Sequence, residues 1–254
     1  MENILIIARR DLRAMFNSPV AYVVLGGTML LLGVIFFVIP HSNVFGEPVG
    51  GFWDIDHATM DQMFTYIPPL LSIFVVPAVT MRSLAAEKGS GTLELLITMP
   101  VKDSDVILGK YVAACGVVFV LIAATLLYPI AMFVFPWHLG ALDWGPVWSG
   151  YFGCVLFTFA AVGIGLMFSS LTESDVVAFF LTAGTFVLLY ALGAIAAVLH
   201  GGAFADAVDF ISLQSRYRSF ARGLIDTRAV LYFVSVAIVC LLVSFRSLES
   251  RKWS

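Results

Sequence analysis

Apolar residues gather into six runs that contain no Asp, Glu, Lys or Arg, at residues 20–39, 63–81, 111–135, 147–171, 176–199 and 229–245. A helix rises about 1.5 Å per residue, so about 20 residues cross the roughly 30 Å hydrocarbon core of a bilayer. Inside lipid every backbone N–H and C=O must bond within its own segment, which makes an apolar run of this length a helix. The pattern therefore predicts an all-α membrane protein with six transmembrane helices. The polar connections are too short for a separate soluble domain, so residues 1–254 read as a single transmembrane domain.

Between the runs, residues 2–17 repeat with helical period. Leu5, Ala8, Leu12, Met15 and Phe16 share one face, and Arg9, Arg10 and Arg13 cluster on another. This predicts an amphipathic helix in the membrane interface, its arginines reaching anionic headgroups. It serves either as a topology anchor or as a mechanical element. Asn17-Ser18-Pro19 should end it and open the first span. The second span holds Pro68, Pro69 and Pro77, which should kink it.

The connection 82–110 is the richest. Gly89-Ser90-Gly91-Thr92 reads as a break followed by a helix start with Thr92 as cap, and Leu93 to Ile97 as a short helix stopped at Met99-Pro100. Asp103-Ser104-Asp105 should cap the helix entering the third span. Spacing alone fits both an ordinary connector and a short stiff helix that enters a partner's groove.

Charge sets the expected orientation. Ten of the fourteen Lys and Arg lie before the first span, after the second and after the sixth. Basic residues favour the cytoplasmic side, so both termini are expected there. Arg216, Arg218, Arg222 and Arg228 fall in an outer connection against that bias, with Asp206, Asp209 and Asp226 nearby. Trp53, Trp137, Trp144 and Trp148 flank the outer connections that lack Lys and Arg, as an interfacial belt would.

Composition agrees: 60% of the 254 residues are hydrophobic and only 12% are charged, about half the share of a soluble domain. The first apolar run is too long for a cleaved signal peptide and no A-x-A site follows it. Cys115, Cys154 and Cys240 lie within spans without C-x-x-C spacing and read as small packing residues. His41, His57, His138 and His200 are isolated, and no metal site is expected. No G-x-x-x-x-G-K-[ST] loop occurs, so nucleotide binding in that mode is not expected on this chain. The spans hold no ionisable relay at depth, which argues against ion-coupled carriers and intramembrane enzymes.

The series Glu87-x-x-x-Gly91-Thr92-x-Glu94-Leu95-Leu96-x-Thr98-x-Pro100, followed by Asp105-x-x-x-Gly109-Lys110, resembles the cytoplasmic loop of type-2 ABC exporter permeases. Ser169-Ser170-Leu171-Thr172-Glu173-Ser174 is similar to their second short turn, and Phe220-x-x-Gly223-x-Ile225-Asp226-x-Arg228 to a later segment. The nearest subgroup is the gliding-motility GldF-like permeases. The resemblance implies a non-enzymatic permease subunit in the bacterial inner membrane. It would pair with a second permease and dock a cytoplasmic ABC ATPase that carries the ATP and Mg, with export or force transmission as the output.

By that resemblance Glu87, Gly91, Thr92, Glu94, Leu95, Leu96, Pro100, Thr172, Glu173 and Ser174 form the ATPase-coupling elements. Glu87 and Glu94 should meet basic or donor groups of the partner. Residues 2–17 would be the interfacial connecting helix. Arg216, Arg218 and Arg222 would either snorkel from an interfacial helix or cap the outer mouth and meet an extracytoplasmic auxiliary protein. Membrane lipids are expected partners and nucleic acid is not. The competing reading is a non-transporting scaffold subunit of a surface or motility complex.

Overall fold

The computed structural model describes residues 2–37, 42–44, 47–49, 61–91, 102–134, 144–198 and 211–250. The architecture is helical. Helix α1 (Glu2–Asn17) is followed by α2 (Pro19–Phe37) and by a small antiparallel hairpin, β1 (Ser42–Val44) with β2 (Glu47–Val49), registered Ser42 to Val49. The second span comprises α3 (Asp61–Leu70), a π-helical turn (Leu71–Val75) and α4 (Val76–Thr80), and leads into the short α5 (Ala85–Gly89). Then come α6 (Asp103–Thr125), α7 (Leu127–Val134), α8 (Trp144–Leu171), α9 (Asp175–Val198), α10 (Leu213–Ala221) and α11 (Thr227–Ser250). Five helical stretches are long and apolar enough to cross a membrane, and the bent pair α1–α2 supplies a sixth.

Helices α1 and α2 meet at 74°. Pro19 opens α2, where its missing N–H has no intrahelical partner to lose, and the Ser18 hydroxyl accepts from the Val20 N–H at 3.3 Å. The expectation for the second span needs refinement. Its prolines do not divide it: residues 63–89 run on as one helical stretch. The missing N–H groups are absorbed by the π-helical turn, in which the Val76 N–H reaches the Leu71 carbonyl. The Ser72 hydroxyl donates to the Pro68 carbonyl at 2.7 Å and lies 3.3 Å from the Tyr190 hydroxyl. The third span likewise runs on over residues 103–131, interrupted by a single turn residue at Leu126, where Pro129 has no N–H to give the Thr125 carbonyl.

Helix α8 is the post around which the rest packs. In its apolar window 72% of the residues are buried, against 17% in α9 at the periphery. Small residues make this packing possible. A Cβ on Gly150 would lie 2.6 Å from the Phe64 ring, and one on Gly153 would lie 2.6 Å from the Phe220 Cβ. Gly163 faces Ala237 and Cys240 on α11, and Gly165 faces Thr80 on α4. The three cysteines are free and buried, as packing residues would be.

Helix α10 packs more deeply than an interfacial hairpin would. Leu213, Tyr217, Phe220 and Ala221 are buried, and Phe220 sits against α8. The Ser149 hydroxyl donates to the Phe220 carbonyl at 2.7 Å, and the Tyr217 hydroxyl donates to the Gly150 carbonyl at 3.2 Å. Gly223 then turns the chain at φ +87°, close over Pro146.

Candidate coupling site

The two segments that resemble coupling elements are joined at the end of the bundle where α1 lies. Ser169, in the last turn of α8, reaches across to the foot of the second span. Its Oγ accepts from the N–H groups of Leu84 at 3.0 Å and Ala85 at 3.1 Å, and lies 3.2 Å from the Met81 carbonyl. These N–H groups open α5, where Leu84 offers no side-chain cap. A serine from another helix therefore caps α5.

One residue further, the Ser170 carbonyl accepts from Lys88 Nζ and from the Ser247 hydroxyl of α11. Gly89 lies directly on the second turn: a Cβ there would stand 2.7 Å from the Glu173 carbonyl oxygen. Arg82 and Asp175 face each other at 3.5 Å on the rim.

The same end carries a buried ion cluster. Lys110, in the second turn of α6, is 4% exposed, and its Nζ lies 2.6 Å from Glu87 Oε1 and 3.3 Å from Asp11 Oδ2. Asp11 also receives Arg10 Nε at 2.8 Å on its other oxygen. One ammonium thus ties α1, α5 and α6 together. The helices can approach because a Cβ on Gly109 would fall 2.7 Å from the Ile7 side chain, and Gly116 faces Leu12.

The predicted residues divide as follows. Glu87, expected to face a partner, places one carboxylate oxygen on Lys110 inside the chain. Gly91 adopts φ +72°, the left-handed conformation that suits glycine, and ends the described part of the loop. Thr92, Glu94, Leu95, Leu96 and Pro100 lie outside the described residues, as do the four histidines, Trp53, Trp137, Asp206 and Asp209. Thr172 returns its hydroxyl to the Phe168 carbonyl at 3.1 Å, and with Glu173 and Ser174 it links α8 to α9.

The acidic run before the third span is not a cap. Lys102 holds the cap position without a side-chain bond, while Asp103 and Asp105 sit in the first turn, favourably placed at the positive end of the helix dipole.

Arg9, Arg10 and Arg13 are exposed on α1 as expected, but the packing face differs from the wheel. Ala8 is buried and Ile7 meets α6, whereas Leu5 is 67% exposed. Arg216 and Arg218 are half-buried on α10, and Arg222 terminates that helix. Sequence reasoning missed Asp11, which is hidden among arginines, and placed Ser169 in the second turn without its capping role, which depends on a contact 85 residues away. Among the described residues no group of three or more His, Cys, Asp or Glu could hold a metal.

Residues 46–253 match the family described as ABC-2 family transporter protein. The chain is also 30% identical over 133 residues to the probable multidrug ABC transporter permease YbhR of Escherichia coli K12, and equally to the protein of that name in Escherichia coli O157:H7. The matched stretch covers 51% of this chain and 34% of the relative, so the chain spans about a third of the length of these curated relatives.

Proposed function

This chain belongs to the ABC-2 transporter family, and on that premise we propose that it is a permease subunit driven by a separate ABC ATPase. The output is export, or transmission of force, across the bacterial inner membrane. The observation that carries this reading is the convergence of the 81–91 segment, the 169–175 turn and α1 on one end of the bundle. A push delivered to the loop after Gly91 is passed to α8 through Ser169 and Lys88, and to α1 through Lys110 and Asp11. Packed elements with fixed contacts transmit displacement in discrete steps.

In this reading the loop with Thr92, Glu94, Leu95, Leu96 and Pro100 docks the ATPase, and both termini share its cytoplasmic side. A second permease, identical or related, completes the transmembrane unit. Within the family we propose a gliding-motility GldF-like subunit, on the resemblance of the loop motifs. The E. coli relative's name supplies a multidrug exporter as the comparison for cargo.

The test is Glu94→Lys in the full chain, expressed with its ATPase. Reversing a partly buried interfacial charge costs about 2–5 kcal/mol of docking. Copurification of the ATPase should fall by an order of magnitude or more, while membrane insertion of the variant stays normal. Undiminished copurification would refute the docking assignment. Retained cellular function without the ATPase would point to a scaffold instead.

A further inference from the structure

A half-enclosed cavity of about 270 Å³ opens between α1, the first turns of α2, the end of the second span and α6. Its walls are divided. Asp11, Arg82, Ser83, Glu87 and Lys110 form one part, and Val20, Val24, Val79 and Val117 another. With α2 read as crossing the bilayer and α1 as lying along its surface, the 74° bend between them puts the cavity where headgroups give way to acyl chains.

Two further observations point to a ligand. Ser83 is buried, and its hydroxyl has no hydrogen-bond partner among the described residues, an uncommon state for a buried polar group. The ionisable groups at the cavity are already paired and balanced, Arg82 and Lys110 with Arg10 against Asp11, Glu87 and Asp175. A headgroup with a net charge would leave that charge uncompensated in a partly desolvated site, whereas one carrying both signs would not.

We propose that this cavity binds one zwitterionic glycerophospholipid. Its phosphate faces Ser83 and shares Arg82 with Asp175, its ammonium joins Lys110 beside the carboxylates of Asp11 and Glu87, and the first carbons of its chains run along Val24, Val79 and Val117. The volume suits a headgroup with its glycerol, and the remaining acyl length lies in the surrounding bilayer.

The full chain, purified in detergent, is offered phosphatidylethanolamine and phosphatidylglycerol of identical acyl chains at equal mole fraction, and bound lipid is counted by native mass spectrometry. One phosphatidylethanolamine per chain should persist, with a preference of about tenfold or more, the scale of one charge-assisted contact. Val79→Trp and Ala21→Phe fill the cavity from different walls and should each remove that lipid. Ser83→Ala, which adds no bulk, should weaken its retention several-fold.

Soluble phosphoethanolamine in large excess should displace the lipid only in part; complete displacement would show a headgroup-sized soluble ligand and overturn the lipid assignment. Equal retention of the two lipids, or a preference for phosphatidylglycerol, would also overturn it. So would unchanged retention in Ser83→Ala together with either filled variant.

Discussion

Lys110 shows how a single side chain can fix the relation of three elements. Its ammonium is almost fully removed from water, which is tolerable because carboxylates arrive from α1 and from α5. Breaking such a buried cluster leaves uncompensated charge, at a cost of about 3–5 kcal/mol, whereas replacing all its members by neutral groups is often close to harmless. Lys110→Met should therefore lower the unfolding temperature of the purified protein in detergent by many degrees. The triple variant Asp11→Asn, Glu87→Gln, Lys110→Met should recover most of the loss. A triple variant no more stable than Lys110→Met alone would mean that the lysine acts through its packing and not its charge.

Lys110 was visible in the sequence as the second residue of Gly109-Lys110. Its partner Asp11 was not, because no local pattern sets the register between helices 99 residues apart.

At the level of elements, the foot of the second span depends on a borrowed cap. Ser169 satisfies two N–H groups that α5 cannot satisfy itself, while its neighbour Ser170 turns its hydroxyl to the Met167 carbonyl three residues back. Ser169→Ala should cost about 1–3 kcal/mol, the penalty for stranding buried donors, and should speed protease cleavage between residues 89 and 102. Ser170→Ala should do neither. Equal protease sensitivity of the two variants would remove the assigned role.

The six apolar runs, the break at Ser18-Pro19 and the exposed arginines of α1 were all legible, since each is a local pattern of 3.6-residue period or proline chemistry. The π-helical turn was not. Proline announces a lost hydrogen bond but not whether the chain answers with a bend or with a wider turn. The depth of α10 was also hidden, because Tyr217 and Phe220 look alike in sequence whether they face lipid or a glycine-lined groove on α8.

For the molecule as a whole, organisation around α8 predicts which spans tolerate change. Gly150 and Gly153 admit Phe64 and Phe220 at distances no Cβ allows, so Gly153→Ala should overpack the bundle by about 1–3 kcal/mol. Gly26 on α2 and Gly184 on α9 have open space, and alanine there should leave the melting temperature unchanged or slightly raised. Orientation is tested separately. In a background lacking Cys115, Cys154 and Cys240, a cysteine at Ser104 should react with an impermeant reagent only in inverted vesicles; reaction in intact cells would reverse the topology.

The position of α11 has a consequence for how the protein is made. Its Ser247 completes the bonding of the Ser170 carbonyl, and its Phe233 packs edge-on to Phe157 and tilted against Phe220 at 6.0 and 6.4 Å. During synthesis it emerges after the helices it packs against. Until then the central post has a bare flank in the membrane, with Gly163 open to any passing helix. A chain held short of residue 227 should therefore be more open to membrane proteases than one extended through α11, which a pulse-chase would read. The 24 residues of α11 are the latch that closes that flank.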